Sequence, residues 1–223
     1  MGTITRSLAN NITTSGVILP TGITNASVAN VTSFANAADP STLILLSTQT
    51  ASASASIEFT SGIDSTYDEY IFKFIDIHPE TDDKRFTFNI SSDGGSNYNV
   101  IKTTTVFEAR HHEDGVTSGL AYSGRTLSED LAQSTGFQYL SNGQGNGNDE
   151  NLAGTLTLYN PSNTTFVKHF IAETQWSRYD NASYRWFIAG YGNTTSAINA
   201  IQFKMISGNI DEGIIKMYGV KKS

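Results

Sequence analysis

The stretch RFTFNIS, residues 85–91, alternates apolar and polar side chains in steps of two. In an extended chain Phe86, Phe88 and Ile90 fall on one face, and the polar side chains between them fall on the other. This period predicts a β-strand that covers a hydrophobic core with one face.

A second stretch, SYRWFIAGY at residues 183–191, has the same period. Tyr184, Trp186 and Ile188 lie on one predicted face and Arg185 on the other. The two stretches are rich in aromatic and β-branched residues, which favour strands over helices. Both stretches therefore predict strands with one apolar face toward the core, although they lie far apart in the chain.

Similar runs follow one another along the chain from residue 41 onward, separated by Gly, Asn, Asp and Ser. The other predicted strands are 43–50, 54–59, 69–78, 98–107, 137–140, 152–160, 165–174, 197–206 and 213–220. Only residues 126–133 have a helical pattern. Many short strands without intervening helices predict an all-β fold, an antiparallel β-sandwich of jelly-roll type.

Composition limits the function classes. The chain has 223 residues, a formal net charge of −7 and no cysteine. It is long enough for one main domain, and without clustered Lys and Arg we expect no nucleic-acid partner. The absence of cysteine excludes a disulfide frame and a thiolate metal site. No apolar run approaches the roughly 20 residues that cross a bilayer, and no secretory signal is visible, so we expect no membrane insertion.

The first 40 residues differ from the rest, because isolated apolar residues follow neither a helical nor a strand period. These residues are Ile4, Leu8, Ile12, Val17, Ile18, Leu19, Ile23, Val28, Val31 and Phe34. Such a segment cannot bury enough apolar surface to offset its own ordering entropy, so it is either a disordered tail or an arm ordered on a partner chain. The regular placement of Val, Ile and Leu favours the arm. We therefore predict an extended N-terminal anchoring arm at residues 1–40 and a β-sandwich domain at residues 41–223.

The segment NISSDGGSNYNV, residues 89–100, raises the question of a ligand loop. A phosphate loop would need a Lys and a hydroxyl after its last glycine, and a calcium loop would need several carboxylates, whereas Asp93 is alone here. Gly94 and Gly95 supply the positive φ angles that a tight connection demands. The segment predicts a hairpin turn.

Two polar clusters are candidates for metal ligands. In HHED, residues 111–114, neighbouring side chains of an extended chain point to opposite faces, which favours a solvated loop. The loop at 142–151 carries hard oxygen donors, among them Asn146, Asp149 and Glu150, but lacks the order of an EF-hand. We predict a flexible loop with no metal and no cofactor, and calcium stays the alternative.

Aromatic residues suggest a glycan platform, because Tyr and Trp faces stack on sugar rings. Trp176, Tyr179 and Tyr184 flank the loop SRYDNAS at residues 177–183. The favoured interpretation is a core belt with one exposed tyrosine, and the glycan platform is the alternative. No nucleophile elbow occurs, and the paired carboxylates fall in loops or at strand edges, so we predict no enzymatic activity and no catalytic residues.

Four stretches carry a family resemblance. They are MGTITRSLANNITTSGVI, IDSTYDEYIFKFIDIHPETDDKRFTFNISSDGGSNYN, LYNPSNTTFVKHFI and TTSAINAIQFKMISGNIDEGIIKMYGVKKS. The chain resembles, over most of its length, structural proteins of tailed bacteriophages that infect marine bacteria. The resemblance implies a multimeric assembly component without enzymatic activity, and it does not distinguish one part of the virion from another.

Four functional hypotheses follow. The leading one is an exposed appendage or tail-fibre-like module of the virion, docked to the particle through its arm. A capsid decoration or cement protein is the alternative, a glycan-binding receptor-recognition module a further one, and an enzyme such as a polysaccharide depolymerase is the least favoured. We expect a virion location, other virion proteins as partners, a homo-oligomer that is a trimer by analogy with fibre and decoration modules, and a host surface glycan as a candidate ligand.

Overall fold

The computed structural model describes residues 42–122 and 129–222, and the backbone of residues 12–13 and 16–17. All regular structure in these residues is β, as expected for aromatic and β-branched runs broken by turn residues. The strands are β1 (Ile12–Thr13), β2 (Gly16–Val17), β3 (Leu43–Ser54), β4 (Ile57–Phe59), β5 (Glu69–Pro79), β6 (Phe86–Ser91), β7 (Lys102–His112), β8 (Ser118–Tyr122), β9 (Gln138–Tyr139), β10 (Leu152–Tyr159), β11 (Lys168–Arg178), β12 (Ala182–Gly192), β13 (Ala200–Met205) and β14 (Ile210–Val220).

The strands from β3 onward form two sheets in which every pair is antiparallel. The larger sheet has the order β3-β14-β5-β10-β11-β12-β7-β8, and the smaller one has the order β4-β13-β6-β9. Both belong to the compact unit Ser41–Ser223. The all-β class is confirmed, and two antiparallel sheets are consistent with the predicted β-sandwich.

The core lies between the two sheets. Phe203, on β13 of the smaller sheet, packs against Phe72 and Phe74 on β5 of the larger one, with ring centroids 5.5 and 5.2 Å apart. Phe88 on β6 meets Phe170 on β11 edge to face at 5.0 Å. Each of these side chains is at most 2% exposed, so the alternation seen in the sequence selects the residues that join the sheets.

Little of the predicted arm is described. The unit Met1–Pro40 contains the short ladder in which Ile12 of β1 pairs with Val17 of β2. The remaining predicted arm residues, Ile4, Leu8, Ile18, Leu19, Ile23, Val28, Val31 and Phe34, lie outside the described residues.

The predicted hairpin at Asp93 is wrong, although the turn itself is present. Strand β6 belongs to the smaller sheet and β7 to the larger one, so the connection between them crosses from sheet to sheet. The Ser96 N–H donates to the Asp93 carbonyl at 3.5 Å, and Gly94 and Gly95 have φ values of +72° and +90°. Glycine serves any tight turn, whichever sheet the next strand enters.

The region around residue 111 also departs from expectation. His111 and His112 are the last residues of β7, not part of a loop, and only Glu113 and Asp114 lie in the turn. Strand β8, which follows that turn, was not predicted because its five residues show no alternation of apolar and polar residues. Of the helical pattern at 126–133, residues 129–133 form no helix, and the others lie outside the described residues.

Candidate functional site

Three aromatic side chains stand side by side on the outer face of the larger sheet. Phe107 of β7 is paired across the ladder with Phe187 of β12 on one side and with Tyr122 of β8 on the other. The rings of Phe107 and Phe187 are stacked, with centroids 4.8 Å apart and an angle of 13° between their planes. Phe107 is 45% and Tyr122 55% exposed, so this row faces away from the core.

The row reaches an open edge of the sheet. In the described part of the chain β8 has one strand neighbour, β7, so among these residues no strand pairs with its other side. Leu120 of β8 is 75% exposed and is paired with Ala109. We call Leu120, Tyr122, Phe107, Phe187 and Ile171 the outer surface; Ile171 of β11 is 50% exposed.

Next to the aromatic row the outer face contains a shallow depression of about 390 Å³. Tyr159, His169, Ile171 and Tyr191 line it, and the rings of His169 and Tyr191 meet edge to face at 6.1 Å. An ion pair between Arg185 and Glu173 (2.6 Å) lies on the same face, with the Arg185 guanidinium over the Phe187 ring. The outer face therefore offers an apolar and aromatic contact area with a charged border, which suits binding to another macromolecule more than chemistry.

The predicted glycan platform is not on the surface. Trp176 and Tyr184 are paired across β11 and β12, and they are only 1% and 7% exposed because both point to the inner face. Tyr179 alone is exposed, at 42%, with the Arg178 guanidinium 4.5 Å from its ring centre. Trp176 and Tyr184 therefore belong to the core belt that the sequence favoured, and Tyr179 is its one exposed tyrosine.

The loop at 142–151 borders a polar cleft of about 450 Å³ beside β5 and β14. Glu150, one of the predicted cation donors, accepts a hydrogen bond from the Gly147 N–H at 2.6 Å. His78 lies 3.2 Å from the Gly147 carbonyl through Nε2 and 3.6 Å from the Asp211 carboxylate through Nδ1. Among residues 42–122 and 129–222, no group of three or more His, Asp and Glu side chains could hold a metal ion.

Asp93 organises the turn after β6. Its carboxylate accepts hydrogen bonds from the Ser91 hydroxyl at 2.6 Å, from the Asn97 side chain at 2.8 Å and from the Asn97 backbone at 2.9 Å. These bonds favour the charged form and lower the pKa of Asp93 to about 2, with the Ser91 bond the largest cause. Hydrogen bonds within the turn therefore account for the charged carboxylate of Asp93 without a bound ion.

Comparison with family models, with curated proteins and with solved structures finds no match for this chain. No helix in the described residues is long and apolar enough to cross a membrane. The outer surface was missed from the sequence because Phe107 and Tyr122 become neighbours only once β8 is recognised and its register is known. The signal available was the alternation in TTTVFEAR, which places Val106 and Phe107 on opposite faces.

Proposed function

We propose that this chain is a structural protein of a bacteriophage virion, an exposed appendage or tail-fibre-like module. Its domain at residues 41–223 is a jelly-roll sandwich, and residues 1–40 are an extended arm that docks the module to a neighbouring subunit. The resemblance of four stretches to structural proteins of tailed bacteriophages supports this assignment. A capsid decoration protein built from the same parts is the alternative.

The outer surface is the observation that carries the proposal beyond resemblance. Phe107, Tyr122 and Leu120 lie next to one another at an open sheet edge, each at least 45% exposed. Single exposed apolar residues are ordinary, but contiguous ones beside an unpaired edge favour contact with another chain. A module assembled in many copies on a particle would cover this surface with neighbouring subunits, and we propose a homo-oligomer of threefold symmetry.

Non-enzymatic assembly is also favoured by what the clefts contain. The depression on the outer face is lined mainly by apolar and aromatic residues, and in the polar cleft Glu150 accepts a hydrogen bond from the loop backbone. Neither cleft combines a nucleophile with a base in hydrogen-bonding contact. The proposal therefore assigns the chain a binding role.

Antibody labelling of purified phage particles tests the proposal. An antibody raised against the folded chain is attached to gold and imaged on virions by electron microscopy. Label at the tail or its fibres supports the leading assignment, and label distributed over the head supports the decoration protein instead. Particles that contain no trace of the chain by mass spectrometry and carry no label would overturn a virion role.

A further inference from the structure

Two lysines are buried on the inner face at one end of the larger sheet. Lys102 of β7 and Lys168 of β11 are both paired with Gly192 of β12, one on each side, and both are 0% exposed. The Lys168 ammonium donates only to backbone carbonyls, those of residues 166, 194 and 195. Lys102 differs, because one of its partners is the side-chain amide of Asn89.

The Asn89 amide is held in one orientation. Its Nδ2 donates to the Tyr98 carbonyl at 2.6 Å and to the Thr135 carbonyl at 3.0 Å, so this atom is the nitrogen. Its Oδ1 accepts from the Ile90 N–H at 2.9 Å and from Lys102 Nζ. The Lys102 Nζ also donates to the Val100 carbonyl at 2.9 Å. The amine and the amide are thus locked together in a buried site.

Lys102 is suited to act as a nucleophile. Burial lowers the pKa of Lys102 to about 7, so near neutral pH a large fraction of the side chain is the uncharged amine. A desolvated lysine of this kind attacks carbonyl carbon, as in enzymes that form Schiff bases. A C=O bond is about 1.2 Å long, so an amine in hydrogen-bonding contact with Oδ1 lies within or close to the range of about 3–3.5 Å from which it can attack the amide carbon.

We propose that Lys102 and Asn89 react to form an intramolecular isopeptide bond between Lys102 Nζ and Asn89 Cγ. The lone pair of the neutral amine forms the new C–N bond, and the bond from Cγ to Nδ2 breaks. One proton passes from Nζ to Nδ2, which leaves as ammonia, and the product is a secondary amide with no change of oxidation state. The proposal is independent of the proposed virion role.

The surroundings of the amide assist this step. The Ile90 N–H points at Oδ1, where negative charge develops in the tetrahedral intermediate. The carbonyls of Tyr98 and Thr135 accept the hydrogens of Nδ2, so they hold the leaving nitrogen as it gains a proton. Among the described residues no carboxylate contacts Lys102 or Asn89, so the proton passes from Nζ to Nδ2 without a carboxylate relay.

The bond would join the two sheets. Asn89 is on β6 of the smaller sheet, and Lys102 opens β7 of the larger one. A covalent link across the β6–β7 connection limits the separation of the sheets and restricts the unfolded chain, much as a disulfide does. In a chain without cysteine it supplies a crosslink that reducing conditions do not break.

Mass spectrometry of the denatured full-length protein tests the proposal. Protein kept folded at about pH 8, above the pKa of Lys102, is expected to lose the mass of one ammonia, about 17 Da, over time. Trypsin should then fail to cut after Lys102 and give the peptide of residues 86–110, and a further cut after Tyr98 should leave two pieces still joined. Two unjoined pieces and a normal cut after Lys102, with the full sequence mass, would overturn it.

Matched variants identify the atoms. The Lys102→Met and Asn89→Ala variants should keep the full mass, whereas Lys168→Met, which removes the other buried amine, should still lose ammonia. Succinimide formation at Asn142 or Asn146, each followed by glycine, also releases ammonia. It leaves the 86–110 region cleavable, so a mass loss without joined peptides also contradicts the proposal. If the Lys102 variant does not fold, the peptide map of the unaltered protein decides alone.

Discussion

Phe203 lies at the contact between the two sheets. Its ring packs against those of five other phenylalanines, Phe59, Phe72, Phe74, Phe86 and Phe88, at centroid distances of 5.2 to 6.4 Å. The side chain is 0% exposed, so its removal leaves a cavity that the surrounding rings cannot fill without moving.

The Phe203→Ala variant should therefore lose about 3–5 kcal/mol of unfolding free energy, measured by denaturant titration. Phe166→Ala is the matched control, because Phe166 is 68% exposed and its loss should be close to neutral. Equal unfolding free energies for the two variants would show that Phe203 does not lie in the hydrophobic core.

The carboxylate of Asp93 makes folding stability depend on pH. Its pKa falls from 3.8 to about 2, so the folded state binds its proton less tightly than the unfolded chain does. The resulting stabilisation is present above about pH 4 and is lost as the pH falls toward 2. The Asp93→Ala variant should melt at a lower temperature than the unaltered protein near pH 6 and show a shallower decline below pH 4, by calorimetry. If the melting temperatures of the two proteins fall by the same amount between pH 6 and pH 2, Asp93 does not contribute to the loss of stability in acid.

The core residues follow from the sequence pattern more closely than the surface residues do. Phe86, Phe88 and Trp186 are buried as their alternation predicts, because a period of two specifies which side chains share a face. Trp176 and Tyr184 were proposed for a surface role, but the same period, continued along β11 and β12, assigns them to the core. The buried pair Lys102 and Asn89 could not be foreseen, because it depends on how two sheets pack.

At the scale of elements, strand β14 contains an irregularity that only glycine fits. Gly213 has a φ of +137°, and a Cβ at this position would lie 2.9 Å from the Asp76 carbonyl oxygen of β5. Asp76 itself has a φ of +52°, and the register between the two strands shifts here. The bulge interrupts the regular pairing between β14 and β5, the second and third strands in the order of the larger sheet.

Gly213→Ala should consequently cost more stability than an ordinary glycine replacement, about 2–4 kcal/mol from combined backbone strain and overpacking. Gly94→Ala is the control, because Gly94 has a φ of +72° but nothing within 4 Å of its missing Cβ, so only strain of about 1 kcal/mol applies. Thermal unfolding of both variants would measure the difference. A Gly213 variant as stable as the Gly94 variant would show that β5 moves to accommodate the added Cβ without loss of stability.

The edge strand β8 contributes an exposed apolar side chain, Leu120, to the outer surface. Replacing Leu120, which is 75% exposed, with Lys places a charge on the outer surface beside the open edge. Folding stability should change by no more than about 0.5 kcal/mol, while self-association, followed by analytical ultracentrifugation, should weaken. Ile206→Lys, at an exposed site outside the outer surface, should leave association unchanged. Weakening by both variants, or by neither, would argue against the outer surface as an interface.

Elements with strong alternation, such as β6 and β12, were predicted within about two residues of their ends. The pairing of the strands was not, because the same turn residues serve a hairpin and a crossing between sheets. The β6–β7 connection shows this directly, since its Asp-Gly-Gly turn leads from one sheet into the other. Strand β8 was not predicted because an edge strand pairs on one side only and its sequence needs little alternation of apolar and polar residues.

At the scale of the whole molecule, the chain divides into Met1–Pro40 and the two-sheet unit Ser41–Ser223. The large unit has its own core, in which Phe203 and Trp186 are fully buried, so it should fold without the first 40 residues. In the proposed function, the isolated Val, Ile and Leu residues of the first 40 positions contact a partner chain. Each contributes roughly 1.5–3 kcal/mol when fully buried against another chain.

In the proposed function residues 1–40 attach a self-sufficient module to a virion, and particle incorporation of a shortened chain tests this attachment. A chain lacking residues 1–38 should fold with an unchanged β signature and melting temperature and yet be absent from purified particles, measured by quantitative mass spectrometry against the full-length chain. Incorporation of the shortened chain at the normal copy number would contradict the account, because the attachment would then lie in the sandwich itself.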